Sequence, residues 1–262
     1  PSERPSRPSF DRIEDHILEQ LQSPSNSYST SRKKVLARDG YKCKVTGICH
    51  RRSVETVAEL AQLVEESGCG SGAVQACHIV NEAIMQGVDR DSPEAKKRAA
   101  AGFLRILDTF GLSEVKDDFL KENGIHSLKN LISLSNAIHP EFDDLCLWFE
   151  PTDTEHTYTV CTSVKSLPQG LAHWNSRVTF SVYPKKFKSF EDMDMPLPDP
   201  RMLTLHGICA RVAHMSGAAE YFDSFDRDHE ILKEVAMLAG DGSSSVEALQ
   251  SVLTRYAGVV EH

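Results

Sequence analysis

Apolar residues make up 40% of the chain, yet nowhere do they gather into the run of roughly 18–20 that a membrane span requires. Nor does any apolar stretch near the start read as a secretion signal, although a chain that begins at Pro1 leaves open what preceded it. Aromatic residues are only 7% and dispersed, which argues against a base-stacking platform. Paired CxxC knuckles are missing: Cys43, Cys49, Cys69 and Cys77 are separated by five, nineteen and seven residues, poor spacing for structural zinc. Seven cysteines, an odd and scattered set in 262 residues, do not make a disulfide framework and point to a reducing, intracellular setting, cytoplasmic or nuclear. GCGSG at 68–72 lacks the lysine of a phosphate-cradling loop. No internal repeat is visible.

What remains is a composition near that of ordinary soluble globular proteins, with a charged fraction of 26% and a net charge of −9. That balance excludes a protein that coats nucleic acid indiscriminately, but it hides an asymmetry. Residues 31–52 carry eight basic side chains, Arg32, Lys33, Lys34, Arg38, Lys42, Lys44, Arg51 and Arg52, against the single acid Asp39. The stretch 223–262 holds eight acids against three bases. A local basic face on an acidic protein fits polyanion binding; a solvated helix face is the plainer alternative.

Residues 1–9 read as a tail, 10–22 as an amphipathic helix and the Ser-rich stretch 23–31 as a linker. A basic helix comes next over about 32–38 and stops at Asp39-Gly40. YKCKVTG at 41–47 alternates like a strand, 54–66 repeats like a helix that GCGSG ends, and AVQACHIV at 73–80 reads as a buried strand. Residues 81–127 look like a helical insertion, with a helix from Ser92-Pro93 to about Phe110, a stop at Gly111 and a second helix over Ser113–Glu122. LISL at 131–134 is a short strand, and a short helix comes after it if that helix starts just before Pro140. Strands are expected at 145–149, 156–162 and 177–183, and Pro196, Pro198 and Pro200 mark a rigid connection. Helices close the chain over about 201–221, 226–238 and 244–257. The expected organisation is thus a tail and linker over 1–31, a domain over 32–150 carrying the insertion, and strands plus a helical extension over 151–262.

Three residues stand out on these elements. His78 lies on a strand, Asn130 just before a second strand, and His139 on the short helix beyond, with Asp143 four positions later. The sequence RDGYKCKVTG, then ACHIV, then NLISLSNAIHPEFDD resembles the HNH endonuclease family, in the branch common in fungal genomes. LPDPRMLTLHGICARVAHMSGAAEY resembles the helical extension of those proteins. The resemblance implies an α+β fold, a ββα-metal core enlarged by helices, and a metal-dependent endonuclease leaving 5′-phosphate and 3′-hydroxyl ends. It also implies His78 as general base, Asn130 as the residue that fixes the loop or the base, and His139 as metal ligand.

The residue types suit that chemistry. An imidazole with an unperturbed pKa of about 6.5 can take a proton from water at physiological pH. A divalent ion would serve as Lewis acid and clamp. Asp143 shares a helix face with His139 and could ligate or orient it. Many relatives place an acid or histidine just before the first His; here that residue is Cys77, either a soft ligand favouring zinc over magnesium or manganese, or a buried thiol. The expected partner is nucleic acid, double-stranded DNA before RNA, with the basic segment on its phosphates and no membrane. Two other readings stand: a catalytically silent HNH-fold binding module, and a ββα site reused for other chemistry.

Overall fold

A computed structural model describes residues 28–84, 93–121, 123–182 and 195–215. The tail, the helix expected over 10–22, Ser92 and the helices expected at 226–238 and 244–257 lie outside these residues. The chain divides into two compact units, Pro1–Ala210 and Arg211–His262. The described elements belong to the first unit, except for the last turn of one helix. Helices and small sheets together make the protein α+β.

Helix α1 spans Tyr28–Arg38, beginning inside the stretch that reads as a linker. Tertiary packing overrides the weak helix propensity of YSTS: Tyr28 donates its hydroxyl to the Ala76 carbonyl at 3.2 Å. The strand expected at 41–47 is a turn instead. Gly47, at φ 70°, folds back to donate its N–H to the Cys43 carbonyl, a left-handed conformation that glycine adopts without steric cost. One bridge, Lys42 to Cys49, survives of the expected pairing. The short strand β1 (Cys49–His50) runs parallel to β2 (Ser71–Gly72). Between them the expected single helix is two, α2 (Arg51–Thr56) and α3 (Ala58–Ser67), broken where buried Val57 is extended. Gly68 ends α3 in the left-handed conformation, as GCGSG leads one to expect.

The centre is a hairpin with a long excursion in it. Strand β3 (Val74–His78) pairs antiparallel with β4 (Leu131–Ser135), His78 opposite Leu131. The excursion holds α4 (Glu94–Thr109) and α5 (Ser113–Leu120), then 3-10 turns at Gly124–His126 and Leu128–Asn130. Helix α6 (His139–Asp143) comes directly after β4, and Pro140 sits in its first turn, where its missing N–H costs nothing. These three pieces, β3, β4 and α6, form a ββα unit. Beyond it lie β5 (Leu147–Pro151), β6 (Thr157–Thr162), a helical turn α7 (Leu167–Gly170) that the sequence did not announce, β7 (Arg177–Thr179) and α8 (Pro200–Met215). Strands β5, β6 and β7 form one antiparallel sheet.

Every residue of β4 is buried because both faces of the hairpin are covered. On one face Ala76 and Leu131 pack with Val35 of α1. On the other, Cys77, Ile132 and Leu134 join the main core with Phe142 and Phe149. Arg38 fastens α1 to this hairpin. Its guanidinium, fully buried, donates to both Asp39 oxygens and to the carbonyls of Leu128, Leu131 and Pro196. All five donors of the group are thereby used, which is how a buried charge is tolerated.

Candidate active site

Strand periodicity decides where His78 and Cys77 go. Successive side chains point to opposite faces, so His78 shares the face of Leu131 and α1 while Cys77 shares that of Ile132. Tyr28 of α1 stacks on the His78 ring at 5.4 Å and 18°. The His78 side chain keeps 9% of its exposure. Burial, and next to it the neighbouring His126, lower its pKa to about 4. The ring is therefore neutral at physiological pH.

Asn130 is completely buried and spends its amide on backbone. Its Oδ1 accepts the Val80 N–H at 2.9 Å, and its Nδ2 donates to the carbonyls of Val80 and Ile125 at 3.1 and 2.9 Å. Val80 lies two residues after His78 and Ile125 immediately before His126. One side chain thus ties together the two segments that carry the histidines. Gly124 sets the second segment: a Cβ there would lie 1.9 Å from the Asp118 carbonyl oxygen, so only glycine permits this close turn against α5.

The result is a cluster that reasoning from sequence misses. His78 Nε2 lies 3.0 Å from His126 Nδ1, and Glu82 Oε2 lies 3.9 Å from the former and 3.7 Å from the latter. Among the described residues these are the only three potential metal-ligating side chains whose donor atoms lie that close together. Glu82, four residues after His78, was legible in principle; His126, inside the insertion, carried no signal.

On α6 the i, i+4 spacing works as expected: His139 Nε2 meets Asp143 Oδ2 at 3.0 Å. Both side chains are partly exposed, 24% and 40%. Asp143 and His78 line one cleft of about 260 Å³ together with Asn81 and His206. Cys77 does not line this cleft, although Asp143 lies close enough to act on its thiol. Its thiol is 1% exposed, donates to the Gln75 carbonyl at 3.7 Å, and is pushed well above the ordinary thiol range by burial and by Asp143, against the Leu134 backbone contact. Among the described residues no group of three close donor atoms includes it. A protonated thiol in a core is a poor ligand. Cys49 and Cys69 approach at 3.7 Å, but no larger cysteine cluster forms among the described residues.

The basic segment is divided. Arg32, Lys33, Arg51 and Arg52 are exposed, and Lys34, Lys42 and Lys44 are half-buried. Arg38 leaves the set expected to touch phosphate, because its donors are consumed inside the fold. Lys34 lines a second, polar cavity of about 470 Å³ with Lys121, Lys129 and His126.

A hairpin that carries His78 and has the buried Asn130 at its second strand's start, followed at once by a helix with His139 and Asp143, is a ββα arrangement. Residues 43–150 match the family model of HNH endonucleases, and the chain carries a domain of that family. No curated protein and no solved structure matches the chain. No helix among the described residues is long and apolar enough to cross a membrane.

Proposed function

We propose that this chain is a metal-dependent endonuclease hydrolysing phosphodiester bonds of DNA, with His78 as general base. The observation that carries this reading is the cleft shared by His78 and Asp143, with His139 bonded to Asp143. It brings a proton acceptor and a carboxylate to one cleft whose other walls are largely apolar, among them Ile79, Ile84 and Leu205. When His78 donates from Nε2 to His126, Nδ1 is the nitrogen left to take the proton of the attacking water. The neutral state of His78 keeps that lone pair available. Asn130 acts as a positioning residue, through the backbone of Val80, two residues after the base, and of Ile125.

His139 and Asp143 would hold the divalent ion. An imidazole nitrogen and a carboxylate oxygen, both partly exposed, suit magnesium or manganese completed by water. Bound there, the ion supplies Lewis-acid stabilisation of the phosphoryl oxygens and the leaving oxygen. Arg32, Lys33, Lys34, Lys42, Lys44, Arg51 and Arg52 would contact phosphates without reading sequence. An odd, scattered set of seven cysteines fits a cytoplasmic or nuclear protein. A catalytically silent binding module is the second reading. It is favoured by the burial of Cys77, which leaves α6 with two ligands.

A plasmid-nicking assay in magnesium, manganese, zinc or chelator tests the proposal. Conversion of supercoiled to open-circular DNA in magnesium or manganese, and none in chelator, is expected. DNA binding without cleavage in every metal would select the silent module.

A further inference from the structure

We propose that His78, Glu82 and His126 form a binding site for a zinc-class divalent ion, separate from the His139–Asp143 pair. The warrant is in the distances. The three donor atoms make a triangle with sides of 3.0, 3.9 and 3.7 Å. A point equidistant from all three lies about 2.1 Å from each, within the roughly 2.0–2.2 Å of zinc–imidazole and zinc–carboxylate bonds. Two histidines and a glutamate with one position left open is a donor set that zinc accepts. Imidazole also ranks zinc, copper and nickel above magnesium or manganese.

The triangle is held from outside by independent contacts. The Asn130 amide binds the backbone beside both histidines. Tyr28 packs its ring on both imidazoles, at 5.4 and 5.2 Å between centroids. Glu82 opens a 3-10 turn that Asn81 caps by accepting the Ala83 N–H at 2.9 Å. The Glu82 side chain keeps 32% of its exposure, and His126 lines the 470 Å³ polar cavity, so an ion can reach the donors without unfolding. Preorganised donors lose little freedom on binding, which favours affinity.

The site excludes one state of His78. An imidazole bound through Nε2 carries its proton on Nδ1 and has no lone pair for a water. A loaded triad and a His78 ready to act as base are alternative states of the same ring.

The test is calorimetric titration of zinc into the metal-free full chain, without nucleic acid, so that it stands apart from any nuclease activity. Wild type should bind one zinc equivalent. Glu82→Gln, a conservative change at a partly exposed side chain, and His126→Ala should each weaken it at least tenfold. His139→Ala should leave it in place. Cobalt in the same site should show weak visible bands and no thiolate charge-transfer band. Wild-type affinity in both Glu82→Gln and His126→Ala, loss of the equivalent in His139→Ala, or a strong thiolate band would each overturn the proposal.

Discussion

His78 Nε2 and His126 Nδ1 lie 3.0 Å apart although they stand 48 positions from each other in the chain. Nearly all of the helical insertion lies between, so the approach depends on where the insertion re-enters the fold. Asn130 makes that re-entry, with a buried amide bound to the backbone next to each histidine.

Asn130→Ala should therefore destabilise the protein and loosen the histidine pair together. Three hydrogen bonds to buried backbone are lost and the freed groups find no water, a cost of about 3 kcal/mol. Urea unfolding monitored by circular dichroism measures it. A midpoint equal to wild type would show that the hairpin holds without the amide.

His206 of α8 gives the fold a dependence on pH. Its ring stacks on Phe142 at 4.0 Å between centroids and its Nε2 donates to the Phe142 carbonyl at 3.0 Å. Burial lowers its pKa to about 4, against the opposing pull of the Phe142 carbonyl and Asp143. The unfolded chain, with an ordinary histidine near 6.5, binds the proton more readily. Stability from this group is complete above about pH 6.5, falls as the pH drops toward 4, and is flat below. The loss is about 3 kcal/mol at most. His206→Gln should show a shallower fall in unfolding midpoint between pH 7 and 4. Parallel curves for the two proteins would assign the acid sensitivity elsewhere.

The ββα unit was legible because its parts are local. A β-branched strand, a second apolar strand and a proline-started helix each announce themselves within a few residues. The i, i+4 spacing of His139 and Asp143 needed only helix geometry. Three features were not legible. The Cys43–Gly47 turn hid behind an alternating pattern, because alternation records which side chains face the core and not whether the backbone pairs. Val57 splits a helical repeat that is periodic on both sides of the break. Arg38 looked like its basic neighbours, and only the carbonyls of Leu128, Leu131 and Pro196, about 90 or more positions away, turn it inward. His126 is hidden for the same reason.

The basic face predicts a graded salt response. Each phosphate contact that is lost should lower the salt slope of duplex binding by about 0.9. Arg32→Glu with Lys33→Glu should thus weaken binding equally across DNA sequences and flatten the slope. Binding isotherms that match wild type at every salt concentration would make α1 a solvated face.

Zinc should act against magnesium-supported cleavage. One equivalent, bound through His78 Nε2, removes the free base, so wild-type cleavage in magnesium should slow. Glu82→Gln should resist the same addition. Equal zinc sensitivity in the two proteins would separate inhibition from the triad.

In the proposed reaction His78 moves the proton of the attacking water. Single-turnover cleavage of duplex DNA in magnesium, compared between wild type and His78→Ala, tests it most directly. A positioned base contributes about 10²–10⁴-fold, so the variant should be slower by that factor. Manganese affinity at the His139 helix should be unchanged. Wild-type turnover in His78→Ala would contradict the claim.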